Sequence, residues 1–233
     1  MKKIFNTILL SFCFLVLNSC SISQKKANDK NLKFSIQAGA NTGGITENTD
    51  KSVVPGAEAP SDANVDAFSG ATRMGVNVGV HVNKPLKHNE VETGIDYMYN
   101  EQTFTYADAG NMYIGARELK VSQVMFPLTY NFVLFRKLLP GAEIQLKIGY
   151  LGQINFITTS KTGILPEYSI NRWSNGATFG ISAFPFQFEN GDKLGFYFDG
   201  YRGTQIYKDF YNQTSFEMPG SSFIKFGFKY QFK

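Results

Sequence analysis

The chain of 233 residues has two cysteines, one tryptophan and two histidines. Both cysteines, Cys13 and Cys20, fall within the first twenty positions. Everything after them lacks a thiol, which excludes an internal disulfide and a thiolate metal site in a processed chain. After about residue 23 no segment reaches the eighteen or so consecutive apolar residues that a membrane-spanning helix needs. Charge is modest: 23 Lys and Arg stand against 19 Asp and Glu, for a formal net charge of +4. Loss of Lys2 and Lys3 with a leader would leave +2 (4 − 2), and no basic cluster interrupts the chain, so nucleic acid is excluded as a partner. Signatures of cofactor and metal chemistry are missing as well: there is no phosphate-binding glycine loop, no HExxH and no CxxC. His81 and His88 have no serine and carboxylate at a fixed offset, so no catalytic set is expected. Glu92 and Asp96 share a strand face but lie four residues, about 13 Å, apart at the usual rise, too far to act as a joint acid and base.

What is present begins with a secretory leader. Lys2 and Lys3 form its positive region, and Ile4 to Leu17 its apolar run, interrupted by Asn6, Thr7 and Ser11. That run is too short to cross a bilayer as a helix. Residues 1–23 are therefore expected to be removed on export. Two cleavage sites compete. Leu17-Asn18-Ser19-Cys20 is similar to a lipoprotein box, in which Cys20 would carry the lipid and become the first residue, although Asn18 departs from the small or aliphatic residue usual there. Ser21-Ile22-Ser23 fits ordinary cleavage. Residues 24–31 are a polar tether without periodicity.

From residue 32 onward the chain alternates with a period of two. Eight segments are expected as strands, near 32–41, 71–83, 90–104, 119–134, 143–156, 175–188, 194–201 and 224–233. Met74, Val76, Val78, Val80 and Val82 against Arg73, Gly75, Asn77, Gly79 and His81 is the cleanest of these alternations. Pro127 interrupts the fourth, where a missing ladder donor points to an edge or a bulge, and Pro185 marks an expected bulge in the sixth. Asn190-Gly191 is a hairpin turn signal. Connections run long, short, long, short, long, short, long, with the long ones near 43–70, 105–118, 157–174 and 203–220. An even number of strands joined in this rhythm predicts an all-β, eight-stranded antiparallel up-and-down transmembrane β-barrel over residues 32–233, its two termini on the side of the short turns.

In such a barrel one face of each strand meets lipid and the other lines the interior. The apolar and aromatic face is expected to be the lipid face. Tyr97, Tyr99, Tyr130, Phe132, Tyr150, Phe156, Tyr230 and Phe232 are expected near strand ends as interfacial girdles. Glu92, Asp96, Glu143, Lys147, Asp199, Lys225 and Lys229 then point inward. Eight staves enclose only enough room for side chains, so these charges are expected to pair as a polar plug, Lys225 and Lys229 with Glu92, Asp96, Glu143 or Asp199. His81 has inward parity and reads as an ordinary polar residue.

The leader, the segment Val124-Met125-Phe126-Pro127-Leu128-Thr129-Tyr130 and the final strand Ile224 to Lys233 together resemble the outer membrane protein beta-barrel domain family of Gram-negative bacteria, over roughly residues 30–233. The spacing of Lys225, Gly227, Tyr230 and Phe232 resembles the C-terminal recognition signal of such barrels. The chain departs from that pattern by ending in Lys233 where a terminal aromatic is common, and a lipoprotein box is unusual on a barrel. The resemblance implies the outer membrane with both termini periplasmic, outer-membrane lipid and the barrel assembly machinery as partners, and an extracellular or envelope partner at the four long loops. It implies no cofactor and no enzyme activity. The expected role is structural or interactive. A small-solute pore, a lipid-modifying barrel, and a lipid-anchored periplasmic barrel with an apolar interior are the alternatives.

Overall fold

The computed structural model describes residues 32–46, 66–107, 113–134, 143–163, 170–206 and 220–233, and the leader, the tether and the candidate lipidation site Cys20 lie outside them. Nine strands are formed: β1 (Lys33–Thr46), β2 (Asp66–Thr72), β3 (Gly75–Pro85), β4 (Glu90–Ala107), β5 (Tyr113–Leu134), β6 (Glu143–Gly163), β7 (Trp173–Gln187), β8 (Lys193–Gln205) and β9 (Gly220–Gln231). β2 and β3 are two pieces of one stave. β3 pairs with the lower part of β4, β2 pairs with its upper part from Gln102 to Ala107, and the Arg73 N–H bonds the Glu101 carbonyl between them at 3.0 Å. The number of staves is therefore eight. Every pairing is antiparallel, and the circuit β1–β3–β4–β5–β6–β7–β8–β9 closes through β9 on β1. Among the described residues there is no helix. The fold is the closed, all-antiparallel eight-stave barrel that the alternation predicts.

Closure leaves no sheet edge around the barrel, so the backbone groups of each stave bond to both neighbours. The described chain ends lie at the end of the barrel that carries the short turns. The Leu86 N–H bonds the Asn89 carbonyl at 2.8 Å in one such turn, and the Phe188 N–H bonds the Asp192 carbonyl at 2.9 Å in another. Gly191 sits there at φ 91°, the left-handed conformation that an Asn-Gly turn requires.

Three expectations about the strands need correction. At the end with the long connections the strands run further than the alternation of large apolar residues indicates. β4, β5 and β6 are 18, 22 and 21 residues long, so much of the expected loops 105–118 and 157–174 is paired sheet. Backbone pairing continues there because Glu118↔Ser160 and Lys120↔Thr158 are as good ladder partners as apolar residues, although they carry no membrane pattern. Pro127 lies in the closed wall instead of at an edge. The β4–β5 ladder omits it, passing from Thr93↔Leu128 to Asp96↔Met125, and the Thr93 hydroxyl bonds the Pro127 carbonyl at 2.9 Å. Tyr150 lies in the middle of the outward run Ile144–Phe156 and not near its end. The expected bulge at Pro185 coincides with the β7–β8 register shift between Ala183 and Phe186.

Candidate functional site

The two faces of the wall have opposite chemistry. Outward positions carry exposed apolar side chains on every stave, among them Phe34, Ile36, Val76, Val78, Val80, Ile95, Phe126, Phe132, Ile148, Phe179, Phe196, Phe198, Phe226 and Phe228. Inward positions carry the polar and charged ones, nearly all buried, with Lys229 and Glu90 at 0% exposure. This inverts the arrangement of a water-soluble protein. On β5 the outward apolar residues run from Val124 to Leu134, and beyond them stand Ser122, Lys120 and Glu118. Eleven residues at a rise of about 3.3 Å and a tilt near 40° span about 28 Å, close to the roughly 25 Å apolar band of membrane barrels. The same transition occurs from Tyr99 to Glu101 on β4, from Phe156 to Thr158 on β6 and from Ile224 to Ser222 on β9. Outside the band, Arg73 and the Tyr99 hydroxyl both bond the Glu101 carboxylate, at 2.9 and 2.6 Å.

Inside, five staves meet at a charged cluster, β5 through Asn131. β9 supplies Lys225 and Lys229, β4 supplies Glu92 and Asp96, β3 supplies His81 and β1 supplies Gln37. Lys229 donates to both oxygens of Glu92 at 2.7 Å, and Lys225 donates to Asp96 at 2.7 Å. His81 lies between the two carboxylates, Nδ1 at 2.6 Å from Glu92 and Nε2 at 2.8 Å from Asp96. Asn83 and Asn131 donate to Glu92 at 2.9 and 2.8 Å, and Gln37 donates to Asp96 at 2.9 Å. Across the barrel Lys147 bonds both oxygens of Asp199, at 2.9 and 3.2 Å, with its ammonium 5.8 Å from the Tyr197 ring centre. Nearer the short turns Lys193 meets Glu143 at 2.5 Å and Lys33 meets Glu90 at 3.2 Å. The seven inward residues singled out from sequence thus fall into three groups: Glu92, Asp96, Lys225 and Lys229 around His81; Lys147 with Asp199; and Glu143 with Lys193.

His81 is the residue that alternation undervalued. Its parity was legible, but its place between Glu92 and Asp96 depends on the register Gly79↔Asp96 and Asn83↔Glu92, which no single strand reveals. Both ring nitrogens are within hydrogen-bond distance of a carboxylate oxygen, so both are already engaged by groups of the protein. The two carboxylates that are far apart along β4 are joined through this ring.

A second feature was not foreseen. Met98, Met125, Leu151, Tyr201 and Phe223 also point inward and pack together as an apolar layer, each 0–3% exposed, with the Tyr201 and Phe223 rings 4.7 Å apart. Farther toward the extended wall the interior is uncharged on several staves: Gln123, Gln153, Asn155 and Ser174 are linked by bonds of 2.6–3.0 Å. Methionine at an inward position reads simply as a polarity lapse in a strand, and only the closed sheet brings five such residues into one layer.

The C-terminal segment is held on three sides. Lys225 reaches Asp96, Gly227 lies opposite Gly39 of β1, and the Tyr230 hydroxyl donates to Asp192 at 2.7 Å. The Lys233 N–H donates to the same carboxylate at 2.9 Å, and the Phe232 N–H to the Phe34 carbonyl at 2.8 Å. The Tyr230 hydroxyl above all holds the Asp192 carboxyl below the ordinary carboxylate range.

No family model matches the chain, and no curated protein matches it. Among solved structures it is similar to the outer membrane protein OprG from Pseudomonas aeruginosa, with 8% identity and a TM-score of 0.44, over 87% of this chain and 97% of that one. It is also similar to Ail, the attachment invasion locus protein of Yersinia pestis, with 10% identity and a TM-score of 0.35, over 86% of this chain and 98% of that one. At such scores the strand pairing itself, and not these likenesses, establishes the fold.

Proposed function

We propose that the chain is an integral outer-membrane β-barrel that does not conduct, anchoring an extended wall of β4, β5 and β6 at the cell surface for contact with an extracellular or envelope partner. The observation that carries this reading is the inverted polarity: exposed Phe, Val and Ile outside, buried and paired Lys, Glu and Asp inside. Only a surround of lipid makes the outer face favourable, at about 25 cal/mol per Å² of apolar surface withdrawn from water. The alternative of a lipid-anchored periplasmic barrel requires the apolar faces to turn inward, opposite to the arrangement found. The sequence resemblance to the outer membrane protein beta-barrel domain family agrees with this placement and with periplasmic termini. In this reading outer-membrane lipid surrounds the band, and the barrel assembly machinery recognises Lys225, Gly227, Tyr230 and Phe232 before closure.

The paired charges and the apolar layer inside the barrel support a structural role over a pore. The charged cluster and the apolar layer occupy successive levels of the interior, since Met98 follows Asp96 and Phe223 precedes Lys225 on the inward face of their strands. A lipid-modifying activity lacks support because both nitrogens of His81 are held by carboxylates. Two measurements on protein extracted from outer membranes test the reading. Unboiled samples should migrate faster than boiled ones on a detergent gel, and planar bilayers should show no stable openings. Absence of a heat shift would overturn the membrane barrel, whereas stepwise conductance would overturn only the sealed interior and favour the pore.

A further inference from the structure

A closed barrel has one seam that joins the chain's two ends, here β1 against β9. Four inward positions form a single row across it. Asn77 of β3 pairs with Gly39 of β1, Gly39 with Gly227 of β9, and Gly227 with Tyr197 of β8. At the two central positions there is no room for a side chain. A Cβ at Gly39 would collide with the Phe226 carbonyl and come within 2.7 Å of the Gly227 Cα, and one at Gly227 would collide with the Ala38 carbonyl. The row is therefore bare exactly over the seam, and the groups on either side of it meet: the Tyr197 hydroxyl donates to the Asn77 Oδ1, with both residues 1–2% exposed. Asn77 in turn donates through Nδ2 to the Ala40 carbonyl of β1 at 2.7 Å.

We propose that Tyr197 and Asn77 are a clasp that fastens the terminal seam, Tyr197 acting as the positioning residue that holds β8 and β9 onto β1 and β3 after the ends of the chain have met. Strands β1 and β9 otherwise face each other there through two glycines, which give backbone pairing but no side-chain grip. The β9 lysines cross the same seam to reach β4, so the clasp adds a neutral fastening to two ionic ones. The tyrosine needs no charge partner and its ring stays ordered by the Lys147 ammonium 5.8 Å from its centre. This inference rests on the closed fold and not on the membrane placement, so the two can fail separately.

Hydrogen exchange of the folded full-length chain in detergent, resolved by residue, tests it. In Tyr197→Phe, which keeps the ring and removes the hydroxyl, the amides of 37–41 and 225–229 should exchange about tenfold faster, the scale of one lost internal hydrogen bond. The β5–β6 ladder should be unchanged. Asn77→Ala, which also removes the bond to the Ala40 carbonyl, should accelerate the same amides at least as much, and the double variant should go no further than Asn77→Ala alone. Tyr201→Phe, on the same strand and with a hydroxyl that bonds no other group among the described residues, should leave the seam as it is. Unchanged exchange at the seam in Tyr197→Phe, equal acceleration at all eight stave pairings, or additive effects in the double variant would each overturn the clasp.

Discussion

Replacing Lys229 with Met tests whether the interior is a dry, paired network. The side chain is fully buried, and its ammonium donates to both oxygens of Glu92 at 2.7 Å. Methionine keeps the stem and deletes the charge. Glu92 would remain buried, holding His81 at 2.6 Å, Asn131 at 2.8 Å and Asn83 at 2.9 Å. Removing one partner of a buried pair costs about 3–5 kcal/mol because the other charge stays behind, and these three surviving donors place the loss near the lower end, about 3 kcal/mol. With a denaturant dependence of about 2 kcal/mol per molar in urea, the unfolding midpoint should fall by about 1.5 M. Equilibrium unfolding in lipid vesicles, followed by tryptophan fluorescence or gel migration, reads this directly. Glu92→Gln combined with Lys229→Met removes both charges and should cost less than Lys229→Met alone. A midpoint loss below about 0.3 M, or additive costs in the double variant, would show that the lysine is solvated and that the interior is not the paired plug described.

Three further outcomes follow from the same geometry. Phe228→Arg, at the centre of the outward run of β9, should destabilise the barrel in vesicles by about 2–4 kcal/mol, while Lys120→Ala beyond the band should change it by less than about 0.5 kcal/mol; equal costs at the two sites would displace the band. Asp192 has a carboxyl held below its ordinary value, so the contribution of its bonds to Tyr230 and Lys233 is complete above the unfolded-state pKa and disappears as pH falls through the lower folded-state value. Nuclear magnetic resonance of the Tyr230–Lys233 amides should therefore show an acid transition below pH 3.8 that is absent in Asp192→Asn. Phe232→Asp should lower the amount of protein in the outer membrane, and normal levels of that variant would remove Phe232 from the assembly signal.

Eight staves and their two faces were legible because the period of two survives in every strand, as Met74 to Val82 shows on its own. Inward charges were legible for the same reason. Who meets whom was not, since a partner depends on register across the sheet: Lys225 stands opposite Asn41 and Asp199, yet its ammonium goes to Asp96 two staves beyond β1. The strand ends were misread wherever the outer face turned polar. Glu118 on β5 and Thr158 and Ser160 on β6 look like loop because the cue for a membrane strand is an apolar outer residue, whereas backbone pairing depends on no such cue. Pro127 was misplaced for the opposite reason. A closed sheet tolerates one missing donor when a hydroxyl, here that of Thr93, bonds the carbonyl beside it.

The layer of Met98, Met125, Leu151, Tyr201 and Phe223 gives the interior an electrical direction. On the layer's side the inward neighbours of Asp96 and Lys225 along their strands are Met98 and Phe223, whereas at the end with the short turns Lys33 and Lys193 are partly open to solvent, at 23% and 16%. Ionic screening, which acts over about 8 Å at physiological salt, therefore reaches the pairs Lys33–Glu90 and Lys193–Glu143 most readily. Those two pairs, and not Lys229 with Glu92, whose side chains are 0% and 2% exposed, are where added salt should weaken the interior.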